Sequence, residues 1–211
     1  MTRRTVVSIV AIAVAIMTVG GLVLRERQSR PDHDDPFDSN SVVMLGDSIT
    51  EQVDWSSLLG PSVVNRGFSG YTTAQLVPVA RNLATAQPRM VFVLTGTNDI
   101  RDDHPPSWTV RHLDAILTAL ATRSPTTRVV VQSVLPRADV PAAVDAVNAA
   151  IMHLADERDV EFLDLHASFD DGAGGLRRAD TTDGIHLTSA AYARWAELVR
   201  RTAEQSATFD G

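Results

Sequence analysis

From Ser41 onward the chain alternates short, continuously apolar runs with longer segments of helical periodicity, and that alternation restricts it to few folds. The apolar runs are Val42–Leu45, Ser62–Val64, Met90–Leu94, Arg128–Gln132 and Val160–Leu163. Most of their positions are β-branched or otherwise apolar, with no in-out alternation. Strands of that kind must be covered on both faces, as in a parallel sheet flanked by helices. Helical patterns occupy Glu51–Leu59, Thr73–Ala86, Ser107–Thr122, Ala142–Arg158 and Ser189–Glu204. In the fourth, Val144, Val147, Ile151 and Leu154 recur at helical spacing and form one apolar face. In the last, Tyr192, Trp195, Leu198 and Val199 do the same, and Thr188 stands where an N-cap belongs. Pro78 either bends the second helix or moves its start. The order predicts an α/β fold over residues 41–205: a three-layer α/β/α sandwich on a central five-stranded parallel sheet, with right-handed crossovers. Ligands of such sheets bind beyond the carboxyl ends of the strands.

Thr5–Leu24 is a different kind of segment, uncharged and apolar all round. As a helix it spans about 30 Å, the thickness of a bilayer's hydrocarbon core. Residues 1–27 are therefore expected to be an uncleaved membrane anchor, with a cleaved secretion signal as the alternative. No small-x-small site follows Leu24, and Ala13-Val14-Ala15 falls too early for one. Arg3 and Arg4 favour a cytoplasmic N-terminus and an extracytoplasmic domain, although Arg25, Arg27 and Arg30 blunt that bias. Residues 28–40, polar, acidic and broken by Pro31 and Pro36, read as a linker, and 206–211 as a disordered tail.

The net charge of -7 and the lack of a basic run outside the N-terminus argue against a nucleic-acid partner. With no cysteine, disulfides, zinc-thiolate sites and a thiol nucleophile are excluded. The acidic cluster Asp32–Asp35 reads as solvated linker, not as a metal site.

The chemistry-bearing residues fall where the fold expects them. Gly46-Asp47-Ser48 follows the first apolar run, so a serine is presented at a strand end ahead of a helix N-terminus. Asp47 or Ser48 could equally be a plain helix cap. Gly67 follows the second run and could offer a backbone N–H to an oxyanion, or simply serve as a loop glycine. Gly96-Thr97-Asn98-Asp99 follows the third, where the Asn98 amide could point to the same spot or only build a turn. Asp183 and His186 lie three residues apart before the last helix, so Asp183 can hold the ring Nδ1 while Nε2 faces Ser48. His112 and His153 fall in helices and read as structural or solvated. His166, after the last strand, could line the crevice, and Asp102–Pro106 would form its rim.

Taken together and in this order, Gly46-Asp47-Ser48, Gly67, Gly96-Thr97-Asn98-Asp99 and Asp183-x-x-His186 resemble the four blocks of the SGNH hydrolase superfamily, the GDSL esterase/lipase family. The resemblance runs from about Ser41 to Glu204; Ile49 replaces the Leu of the name-giving motif. It implies a flavodoxin-like sandwich and metal-free, cofactor-free hydrolysis of small-molecule, glycan or lipid esters. Ser48, His186 and Asp183 would form the triad, and Ser48, Gly67 and Asn98 the oxyanion hole. The G-x-S-x-G elbow of α/β-hydrolases is absent. Short loops favour small acyl groups such as acetyl. A membrane-tethered acyltransferase with the same triad, or an inactive glycan- or lipid-binding domain, are the alternatives.

Overall fold

The computed structural model describes residues 36–207. The expected membrane segment at 1–27, most of the linker and residues 208–211 lie outside the described residues. Among the described residues no helix is long and apolar enough to cross a membrane.

Five parallel strands form one sheet: β1 (Val42–Gly46), β2 (Val63–Gly67), β3 (Met90–Leu94), β4 (Arg128–Gln132) and β5 (Glu161–Leu163), in the order β2-β1-β3-β4-β5. The pleat sends alternate side chains to opposite faces. Val43, Leu45, Val91, Val93 and Val131 pack on one side against α3 (Thr73–Leu83), α5 (Pro106–Arg123) and α6 (Pro141–Glu157). Met44, Met90, Phe92, Leu94 and Val130 pack on the other against α8 (Ser189–Ala207) and short helices. Helices on both faces explain why these strands read as unbroken apolar runs. The expected three-layer α/β/α sandwich with a five-stranded parallel sheet is the observed fold.

Two predicted elements are redrawn. The helix expected over Glu51–Leu59 is two pieces, α1 (Ser48–Glu51) and α2 (Trp55–Leu59). Asp54 starts the second by accepting from Ser57 N–H at 3.2 Å. The carbonyls freed by the break are taken by two side chains: Asn65 Nδ2 donates to Thr50, Glu51 and Val53 O at 3.1, 3.2 and 2.9 Å, and Trp55 Nε1 donates to Thr50 O at 2.8 Å. Asn65 can do so because β2 extends through Asn65, Arg66 and Gly67, beyond the predicted end at Val64. Polar side chains hid that extension.

Helix α3 begins at Thr73 and runs through Pro78, which excludes a later start. The last two helices match their apolar stripes closely, and Thr188 caps α8, its Oγ1 accepting from Ala191 N–H at 3.4 Å. Two one-turn helices, α4 (Thr97–Arg101) and α7 (Leu165–Phe169), are too short to register as periodicity. Beneath the site, Trp55 meets Trp195 edge-on at 4.7 Å, and Tyr192 Oη donates to Ile49 O at 2.7 Å. These contacts anchor the turn that carries Ser48 to α8.

Candidate active site

The strand order reverses direction on either side of β1, and the crevice beyond the carboxyl ends of β1 and β3 is the expected ligand position. Ser48 lies there, first residue of α1, two residues past the end of β1. Asp47 is fully buried and caps α1, Oδ1 accepting from Ile49 N–H at 2.9 Å. Its Oδ2 has no partner among the described residues. Burial, with Asp99 adding to it, pushes the Asp47 carboxyl up to about 6, against the opposing pull of the Ile49 amide and His186.

Ser48 Oγ lies 3.1 Å from His186 Nε2, and His186 Nδ1 lies 2.6 Å from Asp183 Oδ2. An ionised carboxylate only accepts, so Nδ1 carries the proton and Nε2 is left to accept from the Ser48 hydroxyl. The other Asp183 oxygen accepts from the backbone N–H groups of Ile185 and His186 at 2.9 and 2.8 Å. The His186 ring, followed by these amides, holds the Asp183 carboxyl well below the usual carboxylate range. The loop bearing both residues is closed at its neck. Thr188 N–H donates to Asp180 O at 2.8 Å, and Thr181 Oγ1 donates to His186 O at 2.7 Å. Asp180 is buried, and Arg194 of α8 donates to its two oxygens at 2.9 and 2.6 Å.

Of the oxyanion residues expected from sequence, Gly67 is placed differently. It is the last residue of β2, in register with Gly46, and its N–H donates to Asn65 Oδ1 at 2.8 Å. A Cβ there would lie 2.6 Å from Glu51 Cα, so glycine is needed for the close approach of α1 to β2. The N–H is thus committed inside the strand end and is not presented to Ser48. The next turn, Phe68–Tyr71, is closed by Tyr71 N–H donating to Phe68 O at 3.1 Å, with Gly70 at φ +77. Positive φ at the third position marks a type II turn, and the glycine third in Phe68-Ser69-Gly70-Tyr71 is its sequence signal.

Asn98 lies in α4 and is buried. Its Nδ2 donates to Tyr71 O at 2.9 Å, which draws the Phe68–Tyr71 turn and the β3 loop together. Its Oδ1 accepts from Arg101 Nη1 at 2.7 Å. Asp99 turns inward, Oδ2 accepting from Thr73 N–H and Oγ1 at 3.1 and 2.7 Å, and thereby fixes the start of α3.

The remaining histidines take other partners. His112 Nδ1 contacts Trp108 O at 2.9 Å, His153 faces Glu157 at 3.4 Å, and His166 Nε2 faces Asp145 at 3.8 Å. The His104 ring stacks on Trp108 at 4.2 Å, in the loop expected to form the rim. Among the described residues no three His, Asp or Glu side chains converge as metal ligands would.

Residues 44–194, spanning Ser48 to His186, match the model of the GDSL-like Lipase/Acylhydrolase family. The chain belongs to that family. The chain is 28% identical over 165 residues to platelet-activating factor acetylhydrolase IB subunit alpha2 of Gallus gallus, covering 72% of this chain and 71% of that protein. In fold it is similar to a GDSL-like lipase from Bacteroides thetaiotaomicron, with a TM-score of 0.71 at 24% identity over 80% of this chain and 89% of that one. A carbohydrate esterase family 3 structure from Talaromyces cellulolyticus gives a TM-score of 0.69 at 20% identity, over 79% and 97% of the two chains. The flavodoxin-like sandwich expected of a GDSL family member is thus the fold of both solved structures.

Proposed function

We propose that this family member is a serine esterase that hydrolyses carboxylic esters through Ser48, His186 and Asp183. The observation that carries the proposal is the continuous contact from Ser48 Oγ to His186 Nε2, at 3.1 Å, and from His186 Nδ1 to Asp183, at 2.6 Å. Ser48 Oγ attacks the ester carbonyl while His186 Nε2 takes its proton, and the Asp183 carboxylate stabilises the imidazolium. His186 then gives that proton to the departing alcohol, leaving an acyl-Ser48 ester. Water attacks the acyl carbon, His186 takes its proton, and the proton returns to Ser48 Oγ as the carboxylic acid leaves.

The tetrahedral oxyanion is held by the Ser48 backbone N–H, the second N–H of Asn98 Nδ2 and, in place of Gly67, the N–H of Gly70. Gly70 lies in the turn bound to Asn98 through Tyr71, and its N–H bonds no other described residue. Each donor of this kind is worth about 3–4 kcal/mol in the transition state.

Short acyl groups suit the short loops around the crevice, and the relative named as an acetylhydrolase supports the same preference. The Thr5–Leu24 run supports a membrane-anchored, extracytoplasmic enzyme, whose esters would then belong to the cell envelope or its surroundings. Hydrolysis of p-nitrophenyl acetate, butyrate and octanoate by the wild type and by Ser48→Ala tests the proposal. Activity abolished by the substitution, with acetate the best substrate, is the expected result. Equal activity in both proteins removes Ser48 as nucleophile. Acyl release that requires an added alcohol acceptor makes the chain an acyltransferase.

A further inference from the structure

The amide of Asn98 has one acceptor atom and two donor hydrogens, and in isolation either end could face the crevice. Here the choice is made by two neighbours of opposite character. Tyr71 O can only accept, and it takes one Nδ2 hydrogen at 2.9 Å. The Arg101 guanidinium can only donate, and it gives Nη1–H to Asn98 Oδ1 at 2.7 Å. A flipped amide would set oxygen against oxygen at Tyr71 and hydrogen against hydrogen at Arg101. Both contacts must be lost for the amide to turn.

Arg101 is fixed in turn. Its Nε and Nη2 donate to the two oxygens of Asp102 at 2.7 and 3.1 Å, which leaves Nη1 aimed back along α4. Asn98 and Arg101 are three residues apart, so one helical turn brings their side chains to the same face. Asp102 orients Arg101, Arg101 orients Asn98, and Asn98 is left with one N–H. The order parallels Asp183, His186 and Ser48, where a carboxylate orients the group that acts on the reacting centre. The charge has a second effect. A cationic donor on Oδ1 draws electron density from the amide and makes its N–H groups better donors to a developing oxyanion.

We propose that Arg101 is a positioning residue for catalysis: it locks and polarises the Asn98 amide that stabilises the oxyanion, without touching the substrate. The proposal rests on the oxyanion role assigned above to Asn98. Arg101 has a half-exposed side chain, so its removal leaves the core untouched.

The test is a double-mutant cycle in p-nitrophenyl acetate hydrolysis by the full chain, with Asn98→Ala, Arg101→Met and the pair. Arg101→Met is expected to lower kcat about tenfold with KM nearly unchanged, since the interaction strengthens only in the transition state. In the Asn98→Ala background the same substitution should have no further effect. Added ethylguanidinium should restore part of the activity of Arg101→Ala and none of Asn98→Ala. A kcat unchanged in Arg101→Met, while Asn98→Ala is crippled, overturns the positioning role and leaves the oxyanion hole standing. An equal loss with and without Asn98 overturns it too, because Arg101 would then act elsewhere. Full activity of Asn98→Ala removes the oxyanion role itself, and the positioning role with it.

Discussion

Arg194 of α8 donates two hydrogen bonds to the buried Asp180 carboxylate, at 2.9 and 2.6 Å, and so ties the loop carrying Asp183 and His186 to the body of the molecule. Arg177 adds a longer contact to the same carboxylate at 3.3 Å. Arg194 is part-exposed, which weakens its share, and Arg177 remains when it is removed. Arg194→Ala should therefore cost about 1–2 kcal/mol and lower kcat severalfold as His186 loses its fixed position. Urea unfolding followed in parallel with ester hydrolysis checks both effects. An unchanged kcat in the destabilised variant separates the loop anchor from catalysis.

Asp183 sets the tautomer of His186 through the 2.6 Å contact at Nδ1. Asp183→Asn replaces a pure acceptor with an amide that can donate, which favours the tautomer unable to take the Ser48 proton. In serine proteases the equivalent change costs about 10⁴ in kcat, and a loss of roughly 10³ or more is expected here. A loss below tenfold in steady-state kinetics would place the orienting acid elsewhere.

The Asp47 carboxyl has a folded-state value of about 6 against 3.8 ordinarily. Below the lower value both the folded and unfolded chains are protonated there. Between the two, the unfolded chain ionises first, so this residue lowers stability as pH rises and reaches its full cost above the upper value. At about 1.4 kcal/mol per unit the cost is on the order of 3 kcal/mol. Asp47→Asn keeps an Oδ1 cap for Ile49 N–H and removes the titration. Its stability relative to wild type should rise between pH 4 and pH 6.5 in urea melts. A constant difference across that range contradicts the burial cost.

Gly67 and Gly70 should respond differently to alanine. At Gly67 the new Cβ would press on the Glu51 backbone, which cannot move aside without shifting α1. Gly67→Ala should then lower stability by about 1–3 kcal/mol, as overpacking does. At Gly70 no described residue offers an atom within reach of a Cβ, and only the positive φ is strained. Gly70→Ala should cost about 1 kcal/mol while lowering kcat through a displaced N–H. Calorimetry together with kcat for both variants distinguishes an overpacked strand end from a disturbed oxyanion donor.

What the linear pattern could report was limited by the range of the forces that set it. Unbroken apolar runs such as Met90–Leu94 and stripes such as Val144, Val147, Ile151 and Leu154 reflect burial averaged over a whole element. These elements match the observed β3 and α6 to within a residue. The Asp183–His186 pair was readable for a related reason: a three-residue separation on a turn is local geometry. The break between α1 and α2 was not readable, because Asn65, distant in sequence, satisfies the freed carbonyls.

Pattern along the chain is enough to specify the sandwich, the strand ends at which Ser48 and Asn98 stand, and the short-range pairing of Asp183 with His186. The expected approach of Ser48 to His186 is realised by packing across 138 residues, and packing also commits the Gly67 N–H to Asn65 and sets the Asn98 amide between Tyr71 and Arg101, neither of which the chain's pattern shows. Burial leaves a periodic trace along the chain. The direction of a single hydrogen bond leaves none, since it depends on which partner the packed chain brings within 3 Å.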